Sequence, residues 1–139
     1  MYIAHEATSI LALYAGLNAL LMLVLSYIAV LRRRQHSVAI GHGDVVEVLR
    51  AQRAFGNAAE HVPAGLLMLV GLAGLEASPQ ILHLTGGLLT AGRFLHGVGL
   101  SRTAEYSPPR TLGALFTWAA YLAGGVMTLA LAFGVRLAG

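Results

Sequence analysis

The sequence contains no cysteine. That excludes a disulfide framework, a thiolate metal site and a cysteine nucleophile. It contains no lysine either, so all nine basic side chains are arginines, which stay charged in any environment. Charge as a whole is scarce. Only 11% of the 139 residues are charged, against about 25% in an average soluble domain. With 57% hydrophobic residues and a mean hydropathy of +0.71, the chain cannot cover itself with a water-facing surface. It reads as an integral membrane protein of one domain. The N-terminus lacks the basic stretch and cleavage site of a signal peptide, so the first apolar segment is expected to be retained. The histidines lack metal-ligand spacing, and no metal is expected.

What the chain has is long apolar segments punctuated by arginine. Residues 9–31 carry no charge and are long enough to cross about 30 Å of hydrocarbon. Arg32, Arg33 and Arg34 follow, then a polar connection centred on Gly41-His42-Gly43. Asp44 suits the N-cap of a second helix, which Pro63 should kink or loosen. Glu76-Ala77-Ser78-Pro79 reads as a tight turn, with Pro79 in the first turn of a third helix. That helix holds Gly86, Gly87, Gly92, Gly97 and Gly99, whose small size permits close contact with neighbours. A second polar loop leads to a fourth helix that is nearly all apolar, with Trp118 and Tyr121 inside it. The expected helices are 5–33, 44–75, 79–101 and 109–136. The fold class is all-α: an integral membrane four-helix bundle. Arg32, Arg33, Arg34, Arg102 and Arg110 lie in or beside the helix 1–2 and 3–4 connections, and only Arg136 lies at the other end. The positive-inside rule puts those connections in the cytoplasm and both termini on the opposite side. The pI near 9.8 therefore reflects topology and not nucleic-acid binding.

The chain is organised around residues 50–63. At about 100° per residue, Arg50, Arg53, Asn57, Glu60 and His61 share roughly one 100° arc of a helix. The opposite side carries Ala51, Ala58, Ala59 and Val62. Each ionisable group in hydrocarbon costs about 2.5 kcal/mol or more, so an intramembrane stripe of this kind is functional by default. Arg93 and His96 of helix three lie toward the same end of the bundle. Arg50, Arg53, Arg93 and Glu60 together leave a cationic surplus. That suits a small zwitterion rich in carboxylates: arginine grips carboxylate bidentately, Glu60 takes an ammonium and Asn57 pairs with an amide. The plainer reading is an inter-helix ion network that only holds the bundle together. Arg93 could bridge to Glu60 or line the pocket. Arg33 and Arg34 read as a stop-transfer cluster.

Arg50-x-x-Arg53-x-x-x-Asn57-x-x-Glu60-x-x-Pro63 resembles the signature of the MAPEG superfamily, the membrane-associated proteins in eicosanoid and glutathione metabolism. The Gly92-Arg93-x-x-His96 stretch and the four-helix plan are also similar. The resemblance implies a homotrimer whose sites lie between subunits and bind glutathione as co-substrate. The second substrate would be a hydrophobic electrophile or hydroperoxide taken from the lipid bilayer. It implies that Arg32, Arg53, Asn57 and Glu60 hold glutathione, with Arg50, His61, Arg93 and His96 completing the candidate set. The chain departs from the family pattern in two ways. His61 and His96 stand where several members have tyrosine. Ser107 stands near the place of the family's thiol-activating arginine, with Arg102 and Arg110 close by.

That second departure has a magnitude. A thiol near pKa 8.5 must drop about 2 units to be mostly thiolate near neutrality, which takes about 2.7 kcal/mol. A serine hydroxyl is too weak a source for all of that. Arg102 and Arg110 are therefore the candidate catalytic residues. The alternative function is a non-catalytic membrane scaffold or a binder of lipid or small anions. A small transporter fits less well, because helices one and four offer almost no polar face.

Overall fold

The computed structural model describes residues 2–134, with side chains from residue 5 onward. The fold is four helices: α1 (Tyr2–Gln35), α2 (Val46–Gly74), α3 (Pro79–Arg102) and α4 (Pro108–Ala132). Arg136 and the expected end of the fourth helix lie outside the described residues.

The helix ends follow from backbone chemistry. The arginine cluster does not stop α1, which runs on through Arg32, Arg33 and Arg34 to Gln35. Arginine is a good helix former, and cations suit a helix C-terminus. The stop comes at Ser37, in the left-handed region at φ 55°. Val38 N–H then bonds to the Arg33 carbonyl at 2.9 Å, and Ser37 N–H to that of Arg34 at 3.2 Å. This is a Schellman closure with serine in the place glycine usually takes. The end of α2 repeats it: Glu76 sits at φ 57°, and Ala77 N–H reaches the Leu72 carbonyl at 3.0 Å. Ala77 is buried in the same apolar cluster as Leu72, the contact that often accompanies this motif. The expectation of an Asp44 cap on α2 is wrong. Asp44 is itself left-handed at φ 56°, and its N–H donates to His42 Nδ1 at 3.1 Å. Val45 takes the cap position instead, without a side-chain bond. Pro63 sits inside a continuous α2.

In cross-section the bundle is a rhombus. α2 and α3 form the short diagonal, each touching the other three helices, while α1 and α4 sit at far corners and do not meet among the described residues. The α3–α4 contact is the most extensive. It is close because Gly92 and Gly113 face each other. A Cβ on Gly113 would lie 2.4 Å from the His96 backbone nitrogen and 2.6 Å from the Gly92 carbonyl oxygen. Near the α3–α4 connection, Gly99 meets the backbone of Arg110 in the same way. One apolar cluster joins Tyr14, Leu69, Leu72, Leu82, Leu89 and Ala120. A second joins Leu25, Ala54, Ala58, Val62 and Leu100.

The outer faces of α1 and α4 are apolar and exposed, with Leu20, Leu23, Tyr27, Trp118, Leu122 and Leu129 all more than half accessible. Among the described residues, α1 from His5 and all of α4 are long and apolar enough to cross a membrane by length and composition. α2 and α3 have the length, at 29 and 24 residues, but fall short on composition.

The seam predicts a sharp contrast among glycines. Gly113→Ala should destabilise the detergent-solubilised protein by about 1–3 kcal/mol, the usual cost of overpacking. Gly16→Ala and Gly125→Ala, where a Cβ meets nothing within 4 Å, should be neutral or slightly stabilising. Thermal melting of the three variants decides it, and a wild-type melt for Gly113→Ala would contradict the described packing.

Candidate functional site

The polar arc of α2 straddles the surface of the protomer. Arg53 and Glu60, on one flank, point away from the bundle, each side chain 57% exposed and 3.9 Å apart. Asn57 and His61, on the other flank, turn toward α3 and α4 and are half-buried. The two flanks differ by roughly 60° around the helix axis, enough to divide one stripe between interior and exterior.

At the centre of the interior half is Arg93, only 2% exposed. Its Nη1 donates to Asn57 Oδ1 at 2.6 Å. Its Nε donates to Thr117 Oγ1 at 2.9 Å and its Nη2 to the Gly113 carbonyl at 3.4 Å. Thr117 in turn donates to that same carbonyl at 2.9 Å. One guanidinium therefore ties α2, α3 and α4 together. A salt bridge from Arg93 to Glu60, one of the two sequence expectations, does not form; the outward turn of Glu60 explains why. No carboxylate answers Arg93 among the described residues, and neutral oxygens carry the charge instead. The His61 ring Nδ1 lies 2.9 Å from the Asn57 carbonyl, and the ring stacks on Tyr121. Tyr121 donates its hydroxyl to the His61 carbonyl at 2.6 Å. His96 follows Arg93 by one turn and is 9% exposed.

The remaining candidates gather at one end. Arg50 Nη1 donates to the Arg102 carbonyl at 2.7 Å, closing the last turn of α3. Arg110 donates to the Ala104 carbonyl at 3.4 Å and lies 5.9 Å from the Tyr106 ring centre. Ser107 is the cap position of α4, and its buried hydroxyl has no partner. Arg32, at the end of α1, donates to Gln35 Oε1 at 3.0 Å and is exposed. The protomer thus brings Asn57, His61 and Arg93 together, keeps Arg53 and Glu60 as an outward pair, and leaves Arg32 apart on α1. Gly113, Thr117 and Tyr121 were missed by sequence reasoning. Their signal was faint: a threonine and a tyrosine on one face of an otherwise apolar helix, four residues apart, with a glycine four residues earlier.

The sequence pattern of the MAPEG family matches residues 11–130. The chain belongs to the MAPEG family and is a membrane protein. It is 36% identical over 112 residues to the inner membrane protein YecN of Escherichia coli strain K12, covering 80% of this chain and 83% of that protein. YecN of Escherichia coli O6:H1 matches over the same length at the same identity. No solved structure matches significantly.

The Arg93 cluster predicts a graded response at Thr117. Thr117→Val removes the acceptor of Arg93 Nε and leaves a buried charged donor unsatisfied, which costs about 1–3 kcal/mol or more. Thr117→Ser keeps the hydroxyl and should lie within about 1 kcal/mol of wild type. Thermal unfolding in detergent checks both. Equal melting of the two variants would contradict a bond between Arg93 and the hydroxyl.

Proposed function

We propose that this protein is a glutathione-dependent membrane enzyme that conjugates or reduces a hydrophobic electrophile or hydroperoxide taken from the bilayer. The observation that carries this reading is the outward Arg53–Glu60 pair with Asn57 between them in the helix. Two opposite charges held on a protomer's exterior, on a helix proposed to lie in lipid, are costly unless something covers them. A zwitterionic peptide between subunits does so. Its carboxylates meet Arg53 and an arginine such as Arg32 from a neighbour, and its ammonium meets Glu60.

The exterior of α2 also supports assembly. Val46, Leu49, Arg53, Gly56, Glu60, Pro63, Leu67 and Val70 follow one another at alternating steps of three and four residues. All but the half-buried Gly56 are exposed. That spacing is the seam pattern of packed parallel helices. It favours a homotrimer built around α2, with each site completed by the next subunit. All four helices would cross the bilayer, with the two arginine-bearing connections in the cytoplasm.

One observation favours a second reading. Arg110 is engaged with a loop carbonyl, and the Arg102 side chain is exposed with no hydrogen bond of its own among the described residues. A chain without a guanidinium committed to the thiol would bind a zwitterion or lipid head group and not activate it.

Calorimetric titration of detergent-purified protein with glutathione tests the first reading. Wild type should bind, and Arg53→Ala and Glu60→Ala should each weaken binding more than tenfold, as expected for charge-assisted bonds of about 1.5–3 kcal/mol. Binding without turnover of any electrophile or hydroperoxide would favour the second reading. The lack of native cysteine allows a clean topology test. Ile40→Cys and Tyr106→Cys should be labelled only from the cytoplasmic side, and Ser78→Cys only from the other. Labelling of all three from one side would refute the proposed sidedness.

A further inference from the structure

We infer that Arg93 is a positioning residue: it locks the Asn57 amide so that only N–H donors face the ligand. The α2 site then selects a hydrogen-bond acceptor there, a carbonyl or carboxylate oxygen. This rests on the reading of α2 as a glutathione site and assigns the polarity of one contact within it.

A guanidinium has donors and no acceptor. The Asn57 atom 2.6 Å from Arg93 Nη1 must therefore be the carbonyl oxygen, and chemistry fixes the amide orientation. Asn57 Nδ2 is consequently the amide atom left without Arg93 as a partner. It makes no hydrogen bond among the described residues, and it is not among the sealed, unpartnered polar atoms of the interior. It is thus unbonded and not sealed, on a residue with Arg53 four positions before it and Glu60 three after on neighbouring helical positions. Arg93 cannot meet the ligand itself. It is 2% exposed, and its three nitrogens are committed to Asn57, Thr117 and Gly113. It acts through the amide, and the adjacent positive charge polarises the amide and strengthens its N–H donors. An asparagine without such a lock could turn over and accept as readily as donate. With it, the site offers cation, fixed donor and carboxylate in a row along α2.

The test uses the full chain in detergent, with glutathione as the titrant and ligand-free melting as the control. Asn57→Asp keeps an oxygen for Arg93 but removes the outward donor. It should melt at or above wild type and bind glutathione at least tenfold more weakly. Arg93→Met and Asn57→Ala should each weaken binding. The double variant should be no weaker than the worse single one, because the two residues act as one unit. Wild-type affinity in Asn57→Asp, or additive losses in the double variant, would overturn the inference while leaving the glutathione reading intact. Absence of glutathione binding by wild type would overturn the reading, and the inference with it. Should Arg93→Met fail to fold, Asn57→Asp alone decides.

Discussion

A buried guanidinium with no carboxylate to answer it sets the terms for the rest of this bundle. Arg93 is sealed between three helices, and every partner it has is a neutral oxygen. A charge in that position is tolerable only if its donors are satisfied with good geometry. The geometry demands that α4 come close enough to offer the Gly113 carbonyl. The closeness demands glycine at positions 92 and 113, since a side chain on either would strike backbone. The tight α3–α4 seam and the polar cluster are therefore one arrangement. The glycines let the helices approach, and Arg93 holds them at that distance.

The same constraint explains how the α2 stripe is divided. Asn57 and His61 are drawn inward by Arg93 and by the stacking of His61 on Tyr121. Arg53 and Glu60, a fraction of a turn away, have nothing to meet inside the protomer and face out. The interior network and the outward charged pair are thus adjacent on one helix. The inner residues are tied to neighbouring helices, while the outer pair is held within α2.

Much of this was legible in the sequence. Four helices, their approximate limits and the arc on α2 follow from hydropathy and a period of 3.6 residues. Glycine density pointed to the close contacts of α3. What the sequence could not supply was direction. A helical projection places Asn57 and Glu60 in one arc, but which edge of the arc is interior depends on where α3 and α4 lie. For that reason the Arg93–Glu60 bridge was a fair expectation and still did not form. Thr117 was silent for a related reason: an intrahelical bond to the Gly113 carbonyl satisfies a threonine in any apolar helix, so nothing in its type announces a second partner on α3. The cap of α2 failed through backbone conformation. Asp44 has the right side chain, but a left-handed residue cannot occupy a position that needs extended backbone.

In the proposed enzyme, thiol activation is where the fold constrains the chemistry most. Lowering a thiol pKa by about 2 units takes about 2.7 kcal/mol, which needs a nearby cation and not a hydroxyl alone. The buried cation, Arg93, is committed three ways and enclosed. Arg50 spends a donor on closing the end of α3, and Arg110 spends one on Ala104. Arg50 Nε is in addition buried without a partner, whereas Arg110 is half-buried with that one bond and the exposed Arg102 side chain makes none among the described residues. Arg93 lacks the freedom of Arg102, because its three nitrogens are bonded to α2 and α4 and its side chain is buried. In the proposed enzyme the chemistry would fall to Arg102 and Arg110 at the end of the bundle, while Arg93 serves the architecture.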